Sequence, residues 1–228
     1  MQKALKRTLS LAAFGALLAC TETSGPGGTL PVLTHDPILF VHGYLGSTAN
    51  FDTMRQRFLA DGWKDYELYA YTYSFLSSNA TTAAEIRDQV NDIISKTGAT
   101  KVDIIAHSMG SVSSRYYLKN LGGTDKIDEW VSLAGPNHGT DDVDRQNCQT
   151  VPCREIAIGS GFLLALNAGD ETPGLTRYAT WRSTCDTTIN PTSSVILVGA
   201  TNNLEACVAH FNFLVDASVY QQVKTFVE

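Results

Sequence analysis

The sequence predicts one α/β domain, with a mostly parallel central sheet of about six strands flanked by helices. Three observations support this fold class. The chain has 228 residues, 43% of them hydrophobic and 18% charged, which is enough for one domain to bury a full core. Short apolar runs typical of buried strands alternate with segments of helical periodicity. The sequence contains no internal repeat and no second block of different composition.

The first residues differ from the rest of the chain. Three basic residues precede the apolar stretch 9–19, which is too short to span a bilayer and has the layout of a secretory signal. Residues 1–19 are therefore predicted to be a signal peptide and are left out of the fold. Without them, 14 basic residues face 23 acidic ones, a formal charge of about −9. Nucleic acid is then an unsuitable partner, because phosphate binding needs positive surface.

Cys20 ends this segment in a sequence that resembles the lipobox of bacterial lipoproteins, although Leu18 is bulkier than usual there. We expect an exported protein, either a cell-envelope lipoprotein held on a membrane by lipid on Cys20 or a freely secreted protein after plain cleavage. Residues 20–36, rich in Gly, Thr and Pro, are predicted to be a tether. Residues 37–228 form the predicted catalytic domain, which we expect to be monomeric.

Four elements are predicted before the central motif. A strand, a helix and a second strand are expected over residues 37–41, 51–60 and 68–73. Thr82 and Glu85 match a capping box, and apolar residues recur on one face of the helix that follows. That helix is expected to end at Gly98, because glycine is favoured just after a helix C-terminus.

The second half of the chain continues the alternation. A strand over 102–105 leads to Ser108, and a helix over 111–120 ends at Gly122-Gly123. A strand over 130–134 is followed by a loop over 141–153 and a helix over 155–166. Two further strands are predicted over 178–182 and 194–199, and a final helix over 218–226.

Ser108 is the candidate nucleophile. It lies in Ala106-His107-Ser108-Met109-Gly110, on a tight turn between a strand and a helix, where the turn exposes the serine and strains its backbone. We expect the residues two before and two after it to be small because the turn presses them together, and Ala106 and Gly110 are small. The pattern alone is also typical of an ordinary strand followed by a serine-rich turn.

A serine hydroxyl needs a base to accept its proton and a carboxylate to orient that base. Two histidines follow Ser108. His210 is favoured over His138 because it follows the last predicted strand and a loop, close to the C-terminal helix. Asp186, just after the strand that ends near Arg182, is the favoured acid. The alternatives lie in a polar loop and in a turn: Asp141, Asp142, Asp144 and Asp170.

The four cysteines after Cys20 can form two disulfides in an oxidising compartment. Cys148 and Cys153 flank a short loop, which leaves Cys185 and Cys207 as the second pair. Cys185 is adjacent to the candidate acid, and Cys207 lies three residues before the candidate base. We expect this second bond to hold the two loops in place, with a purely stabilising role as the alternative.

Ester cleavage builds negative charge on the carbonyl oxygen, and backbone N–H groups can stabilise it. The backbone N–H groups of Met109, at the helix start, and of Tyr44, in the loop after the first strand, are the candidate donors. His42 and His107 are expected to order their loops through hydrogen bonds, and a structural role is favoured for His138. No spacing typical of a metal site occurs, so we expect a mechanism without metal or cofactor.

With these residues in place, the chain resembles the class 2 family of small bacterial lipases in the α/β-hydrolase superfamily. The resemblance rests on residues 37–43, 102–110 and 132–139, together with the regions around Asp186 and His210. It implies the same triad and the same oxyanion donors. It also implies a compact sheet without the earliest strands of larger hydrolases, often with little or no lid.

These residues lead to one main functional hypothesis and two alternatives. The main hypothesis is a serine carboxylic ester hydrolase that cleaves acyl esters of lipids. A polyesterase or cutinase-like enzyme would use the same triad in an open groove. A non-catalytic envelope lipoprotein is the alternative from another class. Residues 162–164 are expected either to line an acyl groove or to form the buried face of a helix.

Overall fold

The computed structural model describes residues 29–228. Its centre is a six-stranded sheet in the order β2-β1-β3-β4-β5-β6, and each neighbouring pair of strands is parallel. The strands are β1 (Ile38–Val41), β2 (Leu68–Ala70), β3 (Val102–His107), β4 (Ile127–Leu133), β5 (Arg177–Ser183) and β6 (Thr201–Glu205). The predicted fold class, an α/β domain with about six mostly parallel strands, is confirmed.

Helices cover both faces of the sheet. They are α1 (Asp52–Ala60), α2 (Asn79–Thr97), α3 (Met109–Asn120), α4 (Asp142–Arg145), α5 (Val151–Glu155), α6 (Gly161–Asn167) and α7 (Ala217–Val227). The alternation of side chains along β1 divides the core into two layers. Leu39 packs in the layer that contains α2, α3 and α6, whereas Phe40 packs with α1 and α7.

The start of α2 differs from the prediction. The helix begins at Asn79, and the Ser78 side chain accepts a hydrogen bond from the Thr81 N–H, so the capping box at Thr82 was wrong. The early start has a tertiary cause: Asn79 is buried and donates two hydrogen bonds to Glu155. The predicted end is confirmed, with Gly98 in the left-handed region at φ 73°.

The predicted strand over 194–199 was also wrong. Thr192–Val195 is a 3₁₀ helix, and the last strand is β6 instead. Val195 and Leu197 are buried, which produces the apolar pattern of a strand. The Asn202 side chain donates to the Leu197 carbonyl and accepts from the Leu197 N–H, so this segment closes on itself as a loop. β6 is polar because it is an exposed edge strand.

The predicted helix over 155–166 is only partly correct, because α5 ends at Glu155, residues 156–160 are not helical and α6 begins at Gly161. Gly159, at φ 73°, lies between them, and Ser160 caps α6 by accepting from the Leu163 N–H. The segment predicted as a loop over 141–153 contains α4 and most of α5.

The packed domain includes residues before β1. The Glu67 side chain is buried and accepts hydrogen bonds from the N–H groups of Thr34 and His35. The His35 ring also stacks on Trp63 with the ring centroids 3.8 Å apart. The predicted signal peptide, residues 1–19, and the proposed lipidation at Cys20 lie outside the described residues. Within 29–228, no helix is both long and apolar enough to cross a membrane.

Candidate active site

Ser108 lies between β3 and α3 with a strained backbone. Its φ is 53° and its ψ is −130°, a conformation that residues with a Cβ rarely adopt. The Ser108 N–H donates to the Leu133 carbonyl at 2.9 Å, which fixes the turn to the end of the neighbouring strand β4. The sharp strand-to-helix turn inferred from the sequence is therefore present.

Two glycines, Gly110 and Gly43, let the segments around this turn approach one another more closely than the sequence indicated. A Cβ on Gly110 would lie 2.6 Å from the Val41 carbonyl oxygen, so α3 starts directly against the end of β1. A Cβ on Gly43 would lie 2.7 Å from the Ser108 Cβ. Gly110 is thus required by contact with β1, and Gly43 brings the loop after β1 against the serine.

The structure brings Ser108, His210 and Asp186 together. The His210 Nε2 lies 3.0 Å from the Ser108 Oγ, and the His210 Nδ1 lies 2.9 Å from the Asp186 Oδ2. All three residues are buried, with exposed fractions of 8%, 6% and 5% for Ser108, His210 and Asp186. An ionised carboxylate only accepts, so Nδ1 carries the proton and Nε2 is free to accept from the serine hydroxyl.

Asp186 is held as an anion. Burial by itself raises the pKa of its carboxyl, but hydrogen bonding and charge interaction with His210 and two backbone N–H groups outweigh burial, so the pKa lies below its ordinary value. The two backbone donors, Thr188 and Ile189, bind Oδ1 at 2.8 and 3.1 Å. Each carboxylate oxygen thus has its own partner, which fixes the plane of the group relative to the imidazole.

His107 and His42 support neighbouring loops. The His107 Nε2 donates to the His210 carbonyl at 3.0 Å, which fixes the backbone of the candidate base. Burial, with a smaller contribution from the charge of His210, lowers the pKa of His107 to about 3, so this ring is neutral beside the triad. The His42 Nδ1 donates to the Gly43 carbonyl at 2.8 Å, and its ring stacks on Tyr73.

The two candidate oxyanion donors, Tyr44 and Met109, belong to the two chain segments that meet at Ser108. Met109 is the first residue of α3, where N–H groups have no partner within the helix. Tyr44 follows Gly43, the residue in close contact with Ser108, and lines the cleft. The Met109 side chain is buried in the core. Their role as donors to a substrate oxyanion remains a prediction.

Both predicted disulfides are confirmed. Cys148–Cys153 closes a short loop between α4 and α5, and Cys185–Cys207 joins residues 22 apart in the sequence. The second bond connects the turn that carries Asp186 to the segment that leads to His210. The Ser183 hydroxyl adds a noncovalent link by accepting from the N–H groups of Cys185 and Val208.

Ser108 and His210 open into a cleft of about 450 Å³. Its walls include Asp142, one of the alternative acid candidates, and residues that the sequence did not single out, namely Leu45, Asn50, Thr140, Val143, Gln146, Ile156, Thr188, Ile189 and Phe211. Phe211 could have been found from its position next to His210. Val143 and Gln146 gave no such signal, because a polar segment with aspartates at 141, 142 and 144 is also typical of a solvated loop.

The other candidates have different partners. The His138 Nε2 pairs with Glu171 at 2.7 Å, and this histidine is not part of the cleft wall. The aspartates near α4 pair with arginines, and the Asp170 side chain accepts from the Thr172 N–H. Of residues 162–164, Leu163 is buried, Phe162 stacks on Tyr116 and Leu164 is exposed, which matches the buried-helix alternative better than an acyl groove. No cluster of metal-ligating side chains occurs within residues 29–228.

A parallel sheet whose third strand in the chain leads into a strained serine, with a histidine and an aspartate presented after later strands, defines an α/β-hydrolase. The chain belongs to the lipase (class 2) family, whose model matches residues 35–196. Asp186 lies inside the matched segment and His210 lies beyond it, so the position of the base rests on the geometry.

The chain is similar to a triacylglycerol lipase of Pseudomonas fragi, with 29% identity over 159 residues. That match covers 65% of this chain and 52% of the relative, so the chain spans about half of the relative's length. Among solved structures, the mature lipase BlEst2 of Bacillus licheniformis matches 87% of this chain and 96% of its own, with a TM-score of 0.72 and 16% identity. Lipase B of Aspergillus fumigatus covers 82% of this chain and 51% of its own, with a TM-score of 0.69 and 16% identity. These similarities support the fold.

Proposed function

We propose that this protein is a serine carboxylic ester hydrolase that cleaves acyl esters of lipids. The observation that carries the proposal is the continuous hydrogen-bonded chain from Ser108 through His210 to Asp186, at the base of an open cleft. Membership of the lipase (class 2) family supports ester hydrolysis as the reaction class. The similarity to a protein named triacylglycerol lipase supports lipid esters as substrates.

In the proposed mechanism, the Ser108 Oγ attacks the acyl carbonyl while the His210 Nε2 accepts the hydroxyl proton. Asp186 stabilises the imidazolium that forms. The negative charge on the carbonyl oxygen is stabilised by the N–H groups of Tyr44 and Met109, and losing one such donor typically costs about 3 kcal/mol in the barrier. His210 then protonates the leaving alcohol. A water molecule, deprotonated by the same imidazole, releases the acid from the acyl-serine.

The electrostatics support this cycle. The depressed pKa of Asp186 keeps the carboxylate ionised at neutral pH. The strongly depressed pKa of His107 keeps the neighbouring ring uncharged, so it does not repel the imidazolium of His210. The ring centroids of His107 and His210 are 4.7 Å apart, close enough for a second positive charge to oppose the first.

We also propose that the enzyme is exported and acts as a monomer. Two disulfides are consistent with an oxidising compartment. Anchoring through lipid on Cys20 is a separate proposal, which a mass measurement of the native N-terminus tests. An unmodified Cys20 would contradict it.

The test of the activity is hydrolysis of chromogenic esters from acetate to stearate, with emulsified triglyceride alongside, by the wild type and by Ser108→Ala. We expect loss of measurable turnover in the variant, with an unchanged circular dichroism spectrum. Ser111→Ala is the matched control, because Ser111 is a buried serine in the first turn of α3 and its hydroxyl has no hydrogen-bond partner within residues 29–228. Equal turnover by wild type and Ser108→Ala would refute the proposal and favour a non-catalytic lipoprotein.

A further inference from the structure

One wall of the cleft is formed by the segment 142–156, which presents four apolar residues to it beside the polar Asp142 and Gln146. Val143, Cys153 and Ile156 are buried and Cys148 is half-buried, and all four line the cleft. An acyl chain is favoured against such a surface because binding removes apolar area from water. This wall is therefore the part of the cleft best suited to the hydrocarbon end of a substrate.

A disulfide forms part of this wall. Both cysteines of Cys148–Cys153 line the cleft, so the bond lies at its surface. The Cys148 Sγ is 3.6 Å from the Tyr44 hydroxyl, and the Cys148 N–H donates to the Val143 carbonyl at 2.9 Å. The bond thus lies beside Tyr44, which is in the loop that follows β1.

Contacts at both ends hold the wall in place. The Glu155 carboxylate accepts from the Asn79 N–H and side-chain amide at 2.6 and 2.8 Å, which fixes α5 to the start of α2. At the other end, Arg145 donates to the Thr187 carbonyl at 2.7 Å, next to the aspartate of the triad. The Arg154–Asp144 pair connects α4 to α5 at 2.7 Å. These contacts resist widening of the wall.

We propose that the Cys148–Cys153 disulfide sets the length of the acyl chain that the cleft accepts. This inference rests on the proposed ester hydrolysis at Ser108. The cleft volume of about 450 Å³ is in the lower part of the range typical of small-molecule sites. If the disulfide bounds the acyl path, the wild type should prefer short and medium acyl chains, from butyrate to octanoate, because longer chains would contact the bond.

The test is the ratio of kcat/KM for the palmitate ester to kcat/KM for the butyrate ester, measured in one detergent. Cys148→Ala with Cys153→Ala is expected to raise this ratio at least tenfold, since one accommodated methylene is worth about tenfold or more in an apolar pocket. Ile156→Ala enlarges the same wall with the bond intact and is expected to shift the profile in the same direction. Val151→Ala is the control, because that side chain lies on α5, is exposed and does not line the cleft.

Thermal unfolding establishes that each variant is folded. If the double alanine variant does not fold, the pair Cys148→Ser with Cys153→Ser replaces it and removes the bond with little change in side-chain volume. Parallel chain-length profiles for the wild type and the disulfide variant would overturn the proposal. A uniform fall at every chain length would also overturn it, because the bond would then act through Tyr44 and not on the acyl chain. Failure of the proposed function is distinct: no ester is then hydrolysed in a manner dependent on Ser108.

Discussion

Removing the Cys185–Cys207 disulfide is expected to lower both stability and turnover. The bond closes a loop with a sequence separation of 22, for which the chain-entropy model gives a stabilisation of about 3 kcal/mol. A domain of about 200 residues has an unfolding entropy near 0.4 kcal/mol/K at its midpoint, so replacing both cysteines by serine should lower the Tm by about 7 °C.

The effect on turnover distinguishes positioning from stabilisation. The bond lies one residue from Asp186 and three from His210, whose side chains meet at 2.9 Å. Because a misplacement of about 1 Å can cost about a hundredfold in rate, we expect kcat to fall between about tenfold and a hundredfold, with KM little changed. The kcat and KM for a chromogenic ester are measured at a temperature well below the Tm of both the wild type and the disulfide variant.

Ile86→Ala is the matched control for that experiment. Ile86 is fully buried in α2, in the apolar layer on the opposite face of the sheet from α7. Its truncation should lower the free energy of unfolding by about 3 kcal/mol. We expect a similar fall in Tm and an unchanged kcat. A disulfide variant that loses stability but keeps the wild-type kcat would refute the positioning argument and leave the bond a stabilising role alone.

Three further predictions concern single residues around the triad. Gly110→Ala should lower the Tm by roughly 5 °C or more, because the new Cβ would lie 2.6 Å from the Val41 carbonyl oxygen. The control is Gly161→Ala, whose Cβ would meet nothing within 4 Å. Equal Tm values for the two variants would contradict the steric argument. Asp186→Asn should lower kcat by about four orders of magnitude with KM and fold retained, because the amide can donate to the His210 Nδ1 and so favours the wrong imidazole tautomer. Ester hydrolysis near the wild-type rate would exclude Asp186 as the acid. Because the pKa of His107 falls from 6.5 to about 3 on folding, only the unfolded state binds this proton between those values, and stability should decline by up to about 1.4 kcal/mol per pH unit as the pH falls through that window. Denaturant unfolding of His107→Gln should give a flatter profile there, and identical profiles would contradict this assignment.

The fold and the three polar residues of the candidate site could be predicted because they follow from local sequence patterns and from the order of the strands along the chain. Alternation of strand and helix follows from hydrophobic periodicity, and the turn at Ser108 follows from small residues in a short motif. Asp186 and His210 followed from chain order, since in a parallel sheet the segments after the strands emerge at one edge. The cysteines added a further constraint, because two of them lie beside the chosen acid and base.

The cleft wall and the edge of the sheet were not accessible in the same way. The start of α2 depends on the hydrogen bonds between Asn79 and Glu155, which are 76 residues apart, and no local pattern encodes such a pair. β6 has little apolar character because one of its sides is unpaired and exposed, whereas the buried loop before it has the pattern of a strand. Periodicity reports burial, and here burial and strand pairing fall on different segments.

The sheet and the loops contribute at different scales to the geometry of the site. Ser108 and His210 are 102 residues apart, and parallel strands bring their loops to the same edge. Strand order alone leaves the side chains several ångströms of freedom, however, while proton transfer needs about 3 Å between heavy atoms. The remaining alignment comes from short-range contacts: the Cys185–Cys207 bond, the two N–H donors to Asp186, and the hydrogen bond from His107 to the His210 carbonyl. These contacts are few and are not part of the two apolar layers of the core. Weakening one of them should therefore reduce turnover while the domain stays folded, whereas a core truncation such as Ile86→Ala should lower stability and leave turnover unchanged.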